Sequence, residues 1–223
     1  MNDLIPTRIL VTTGATQESI DDVRYLGNRS SGKLGCLIAL SAAIKGYEVS
    51  LLHGIQSISP SLHPRIHSTP FTSTRDLRAK LDEHWPSHEI LIMAAAVSDY
   101  TPRGGQLHGK IKRGDELNIP LSPTKDIVAS LAQHKREDQR IIAFALEEPE
   151  KLDVAAREKL QRKHVDAIVA NPLETMNSSN IQWTIYLKDG RTLSQPGICT
   201  KAAFARWLTD NLDAITSATP CTP

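Results

Sequence analysis

Five short runs in this chain are apolar, rich in β-branched residues and free of polar alternation. They are Arg8–Thr13 (RILVTT), Glu48–Leu52, Glu89–Ala96 (EILIMAAA), Arg140–Leu146 (RIIAFAL) and Asp166–Ala170 (DAIVA). A strand with one wet face alternates. A run that does not alternate is buried on both faces, as in a parallel sheet covered by helices on either side. The intervening segments carry helical signals. Leu34 to Lys45 is apolar at Leu37, Ile38, Ala42 and Ile44 and stops at Gly46. Ser73 to His84 has a capping Ser73 or Thr74, with Pro86 beyond its end, and Glu150 to Lys163 is a charged helix. The expectation is an α/β fold with a Rossmann-like, doubly wound, mostly parallel sheet. Its ligand should lie at the carboxyl ends of the strands.

The last quarter reads differently. Ile181–Leu187 and Arg191–Leu193 flank Lys188-Asp189-Gly190, a hairpin signal. Lys201–Leu212 follows as a terminal helix, and 216–223 as a loose tail. The 223 residues are expected to form a single domain, with this hairpin and a Gly-rich flap at 101–121 as its β-rich excursions.

Composition narrows the function. Lys plus Arg is 26 and Asp plus Glu is 25, a net charge of +1. A non-specific nucleic-acid binder or a membrane-surface protein would need a basic excess. No apolar stretch approaches the roughly 20 residues that cross a bilayer, and MNDLIPTRIL has no signal-peptide pattern. Cys36, Cys199 and Cys221 are odd in number and lack metal spacing, so they read as reduced cytoplasmic thiols. His53, His63 and His67 have no partners to complete a metal site.

The richest segment is Gly14 to Gly35, GATQESIDDVRYLGNRSSGKLG, between the first strand and the first helix. An α/β fold places phosphate-binding amides there. Gly27 to Lys33 matches GxxxxGK, but Leu34 stands where a P-loop needs Ser or Thr, and the first long strand ends well before it. Ser30, Ser31 and the amides around Gly32 can hold phosphate oxygens. Arg24 can fork onto a carboxylate or phosphate, and the Asn28 amide can polarise a carbonyl.

Taken together, Gly14-Ala-Thr, Glu18, Arg24-Tyr25 and Asn28-Arg-Ser-Ser-Gly-Lys33 resemble phosphopantothenoylcysteine synthetase, the phosphopantothenate–cysteine ligase family. Ala94-Ala-Ala-Val-Ser-Asp-Tyr100, Lys110-Ile-Lys112-Arg113, Phe144 with Glu147, and Val169-Ala-Asn171 continue the resemblance in order. It implies a ligase of coenzyme A biosynthesis. A nucleoside triphosphate, CTP or ATP with Mg2+, activates 4′-phosphopantothenate as an acyl-nucleotidylate and releases pyrophosphate. The cysteine amine then displaces the nucleoside monophosphate.

By the same resemblance Asn28 stabilises the acyl-nucleotidylate, Lys110 neutralises the triphosphate with Lys112 or Arg113, and Arg24 serves the second half-reaction. Gly14, Ser30, Ser31, Gly32, Ala95, Ala96, Asp99 and Phe144 are expected to bind nucleotide or phosphate; from the carboxyl end of its strand Asp99 can meet metal, ribose or base, or cap its loop. Phe144 is placed to contact the nucleobase, with core packing in an apolar strand as its other reading. No metal ligand is assigned and a homodimer is implied. The flavin-dependent decarboxylase half often fused to this enzyme is not expected, nor bound flavin. Departures from the pattern fall at Gln17, Ala143, Glu148, Pro123-Thr124-Lys125 before Asp126, and Pro172 after Asn171. They leave CTP and ATP both open. The other readings are a non-catalytic nucleotide- or phosphate-binding module of the same fold and a P-loop-like NTPase.

Overall fold

The computed structural model describes residues 7–114 and 116–217. Cys221, residues 218–223 of the tail and the first six residues lie outside the described residues. The principal sheet has eight strands: β1 (Arg8–Thr13), β2 (Glu48–Gly54), β3 (Ile66–Phe71), β4 (Ile90–Met93), β5 (Arg140–Glu147), β6 (Ala167–Pro172), β7 (Thr184–Leu187) and β8 (Thr192–Ser194). Their spatial order is β8-β7-β6-β5-β4-β1-β2-β3. The six strands from β3 to β6 are parallel, and β7 and β8 close the far edge antiparallel. The parallel part therefore runs 3-2-1-4-5-6, the dinucleotide-fold order, and reverses between β1 and β4.

Unalternated strands feed two cores. Ile9 and Val11 of β1 join Val49, Leu51, Ile90, Ile92 and Ile142 on one face, under α1 (Lys33–Ile44), with α5 (Lys201–Asp210) and α6 (Leu212–Thr216). Leu10 joins Leu52, Leu91, Ile141 and Ile168 on the other, under α2 (Thr74–His84), α3 (Ile127–Gln133) and α4 (Leu152–Lys163). Each fully buried Leu or Ile of this kind contributes about 1.5–3 kcal/mol by leaving water.

The structure corrects several boundaries. The strand expected over 89–96 ends at Met93, and beyond it the ladder to β1 is reduced to an isolated parallel bridge between Ala15 and Ala96. The Ala95 N–H donates to Thr12 Oγ1 (3.1 Å) and the Ala96 N–H to the Gly14 carbonyl (2.8 Å). The run 181–187 divides. Ile181 pairs with Cys199, while Trp183 turns into the core, 4.3 Å from the Trp207 ring and 5.2 Å from Phe204. The hairpin thus starts at Thr184, and its Gly190 takes φ 88° in the turn. The terminal helix breaks at Asn211, and α6 follows it. Thr216 is therefore not loose: it ends α6, and its carbonyl accepts from Arg140 Nε at 2.8 Å. The helix over 150–163 begins as a 3-10 turn at Pro149–Lys151 before α4.

Elements that were not expected include β3, α3, a short antiparallel pairing of Asn180–Ile181 with Cys199–Thr200, and two antiparallel ribbons. One ribbon pairs Gln17–Ser19 with Tyr25–Gly27, and the other Tyr100–Pro102 with Leu121–Pro123. The second closes the base of the expected 101–121 flap.

Candidate active site

The reversal of strand order brings the carboxyl end of β1 beside that of β4. Gly14 leaves β1 with φ 82° and Gly32 precedes α1 with φ 76°, left-handed conformations that glycine adopts without penalty. The Thr13 hydroxyl donates to the Gly32 carbonyl at 2.6 Å and ties the start of α1 to the end of β1. A Cβ on Gly35 would collide with Thr13 Oγ1 and lie 2.5 Å from Thr13 Cβ, so helix and strand touch without a side chain between them. The N-cap Gly32 offers no side chain to α1, and the first turn holds no acidic residue. The Lys33 N–H makes a long bond to Ser31 Oγ (3.5 Å), and the N–H groups that follow it, of Leu34 and Gly35, remain available to an anion.

Two cavities open here. The first, about 360 Å³, is lined by Ala95, Ala96, Asp99, Asp126, Phe144 and Lys163, among others. The second, about 140 Å³, lies at the start of α1 and includes Ser30, Ser31, Gly32, Lys33, Phe144 and Lys201 in its wall. Phe144 and Leu146 line both cavities. Phe144 also packs against the core on the α1 face, so its two sequence readings meet in one residue. Asn28 connects the loops, since its Nδ2 donates to the Val97 carbonyl at 3.4 Å on the wall of the larger cavity.

The loop after β4 is held by a buried hydroxyl chain. The Ser98 N–H donates to Thr16 Oγ1 (2.9 Å), and Thr74 Oγ1 donates onward to Glu18 Oε1 (2.7 Å). Thr16 Oγ1 lies within hydrogen-bond distance of both Ser98 Oγ and Thr74 Oγ1. Glu18 also accepts from the Thr74 N–H, at the N-terminus of α2 where a carboxylate is favoured. On the opposite wall, Thr124 donates to the carbonyls of Asp99 (2.9 Å) and Ser98 (2.7 Å). Burial pushes the Asp126 carboxyl upward, but the Ala129 N–H and Lys163 outweigh it and hold it below 3.8.

Arg24, Lys110 and Lys112 line neither cavity. They line a separate open hollow with Arg113 and Leu117. The flap is fastened there by two acids that the sequence reading did not single out. Asp21, 2% exposed, accepts from the N–H groups of Val23 (2.8 Å), Arg24 (2.7 Å) and Ile111 (3.1 Å), and pairs with the Arg24 guanidinium at 2.9 Å. Burial raises its carboxyl pKa, and those donors more than offset this, so it rests below 3.8. Asp22 accepts from Gln106 and from the Gly109 N–H. Their signal was local (two acids before the arginine of an otherwise neutral turn), but their partners lie some 90 residues away. Among the described residues no group of three His, Cys, Asp or Glu side chains could hold a metal ion.

This geometry has known counterparts. The model of the DNA/pantothenate metabolism flavoprotein C-terminal domain matches residues 4–215. The chain belongs to this family. It is 34% identical over 197 residues to the coenzyme A biosynthesis bifunctional protein CoaBC of Escherichia coli K12, covering 85% of this chain and 48% of that one. It is 39% identical over 168 residues to a cysteine/cysteine sulfinic acid decarboxylase of an unknown prokaryotic organism, covering 75% and 46%. The chain thus spans about half the length of the curated relatives it matches. Among solved structures, the C-terminal domain of CoaBC superposes with a TM-score of 0.78 at 32% identity, covering 94% of this chain and 95% of that one. A Cab2 mutant in complex with phosphopantothenate-cysteine shares the fold, with a TM-score of 0.78 at 18% identity and coverage of 94% and 87%. The family and the α/β fold expected from sequence are both borne out.

Proposed function

We propose that this chain is a phosphopantothenate–cysteine ligase of coenzyme A biosynthesis. The observation that carries the reading is the pair of adjoining cavities at the strand-order reversal, with Asn28 bonded into the wall of the larger. This is the place where a doubly wound sheet binds its ligand. The nucleoside of CTP or ATP occupies the larger cavity, where Ala95 and Ala96 let it approach the backbone and Asp99 meets its polar groups. Phe144 forms the wall between nucleoside and phosphates. Ser30, Ser31 and the amides after Gly32 receive phosphate oxygens.

In the first half-reaction the 4′-phosphopantothenate carboxylate attacks the α-phosphorus and pyrophosphate leaves. In the second, the cysteine amine attacks the acyl carbon, loses a proton and expels the nucleoside monophosphate. The Asn28 amide donates to the acyl-nucleotidylate oxygen. Lys110, assisted by Lys112, offsets charge gathering on the triphosphate, the contribution this reaction most needs. Both lysines ride on a flap whose base ribbon begins one residue after Asp99, so the flap is hinged at the cleft's edge. Arg24, oriented by Asp21, serves the second step.

No residue is assigned to hold Mg2+; bound with the triphosphate it would offset phosphate charge, a role that would need no protein cage. Exposed Val23, Tyr25, Tyr100 and Leu121 on the two ribbons support a homodimer through that edge. A cytoplasmic setting is supported by the free thiols of Cys36 and Cys199. The chemistry calls for no flavin. The test is pyrophosphate release by purified protein with Mg2+, 4′-phosphopantothenate and cysteine, with CTP and ATP in parallel and each substrate omitted in turn. Release that requires phosphopantothenate and prefers one triphosphate is expected. Its absence in folded protein would leave a non-catalytic binding module.

A further inference from the structure

The smaller cavity holds two lysines and no carboxylate. Lys33 is the first residue of α1 and Lys201 the first residue of α5. A cation in the first turn of a helix faces the positive end of the helix dipole, an unfavourable placement that occurs here twice in one pocket. Lys201 is more than nine-tenths buried, and its Nζ donates to the Thr175 carbonyl at 3.2 Å. The Lys33 ammonium donates to Ser179 Oγ at 3.0 Å. Both acceptors are neutral, and among the described residues neither lysine is paired with a carboxylate. Burial first, and Lys33 second, push the Lys201 ammonium below its usual pKa. Two like charges, two helix N-termini and buried surface together make a site that is electrostatically incomplete without an anion.

We infer that Lys33 and Lys201 are ligands for a phosphate group, completing the site formed by Ser30, Ser31 and the first amides of α1. The donors converge from α1, from the Ser30–Ser31 turn and from α5. That arrangement suits a tetrahedral polyanion better than a flat carboxylate, which would satisfy donors in one plane only. The cavity of about 140 Å³ has room for such a group but not for a nucleoside as well. The phosphate comes either from the triphosphate tail or from the phosphate of 4′-phosphopantothenate. Only the choice between these sources rests on the ligase reading.

The test is thermal denaturation at constant ionic strength with increasing pyrophosphate or inorganic phosphate. It compares the wild-type chain, Lys201→Met, Lys201→Arg, Lys33→Met and, as a control, Lys188→Met in the unrelated hollow at the other end of the sheet. Loss of a charged hydrogen-bond donor should weaken pyrophosphate binding roughly tenfold or more in Lys201→Met and Lys33→Met. Lys201→Arg should retain part of it, and Lys188→Met all of it. Ligand-free Lys201→Met should melt no lower than wild type, because a buried charge with no carboxylate to balance it has been removed. A residue needed only for packing would lower it. If Lys201→Met does not fold, Lys33→Met on the more open wall carries the test. An unchanged pyrophosphate shift in the variants, or no shift in wild type, overturns the assignment. In turnover, a KM that rises for the triphosphate alone or for 4′-phosphopantothenate alone identifies the source, and no rise in either overturns a role in the reaction. Failure of the ligase reading would appear separately, as no pyrophosphate release by a wild type that still binds the anion.

Discussion

Gly35→Ala should destabilise this protein although it places the better helix former inside a helix. In an ordinary helix interior, Gly to Ala gains about 1 kcal/mol. Here the new Cβ would collide with Thr13 Oγ1 and sit 2.5 Å from Thr13 Cβ and 3.2 Å from the Thr12 carbonyl oxygen. Carbon contacts settle near roughly 3.5–4.0 Å, so α1 must move away from β1 by roughly 1 Å. Thr13 cannot yield, because it is fully buried, stiff at χ1 and bonded through its hydroxyl to Gly32. Overpacking of this kind costs about 1–3 kcal/mol. Set against the propensity gain, the net loss is about 0–2 kcal/mol, opposite in sign to the ordinary case. Urea denaturation of Gly35→Ala, Thr13→Gly and the double variant measures it. The cycle should show favourable coupling, since Thr13→Gly vacates the space that the added methyl group would need. A stabilisation of about 1 kcal/mol by Gly35→Ala alone would refute the close helix–strand contact on which the phosphate site depends.

Asp21→Asn should release the flap, because one oxygen facing the Ile111 N–H and the Arg24 guanidinium would become a second donor. Limited tryptic cleavage in the 104–120 segment should accelerate, and an unchanged cleavage rate would contradict the fastening role. Lys110→Gln should abolish pyrophosphate release while leaving the melting temperature unchanged, since its side chain lines an open hollow; normal release would remove Lys110 from the reaction. The Asp126 carboxyl is held below 3.8 in the fold, so the native state binds fewer protons than the unfolded chain in acid. Its contribution is complete above the unfolded pKa and is lost as pH falls through the lower folded value. Asp126→Asn, which still caps α3, should therefore flatten the acid limb of the stability–pH curve; an unaltered limb would show that the Ala129 N–H and Lys163 do not hold the charge.

The parallel sheet was legible because burial on both faces leaves a chemical trace in each strand, as in RILVTT and RIIAFAL. Ile66–Phe71 left none. As the outer edge strand it carries His67, Ser68 and Pro70, and a proline is tolerated only where a ladder bond is not needed. The seven-residue α3 is too short for a period to show, although Asp126 is its cap. The Ala95–Asp99 and Ser30–Gly32 segments could be singled out because they follow or precede strong elements. The fastening of Ile111 to Asp21 could not, since it joins residues 90 positions apart through one carboxylate. Lys201 escaped notice for a related reason. In sequence it opens a terminal helix, and only the packing of α5 beside α1 brings it to the smaller cavity, the proposed phosphate site.

The claim that the cleft activates the acid as an acyl-nucleotidylate is tested most directly by following the carboxylate oxygen. 4′-Phosphopantothenate labelled with oxygen-18 in its carboxylate is turned over with cysteine, Mg2+ and the preferred triphosphate, and the products are weighed by mass spectrometry. Attack on the α-phosphorus predicts one labelled oxygen in the nucleoside monophosphate and none in pyrophosphate. Label in inorganic phosphate, with a nucleoside diphosphate as the other product, would mean attack at the γ-phosphorus and would contradict the account.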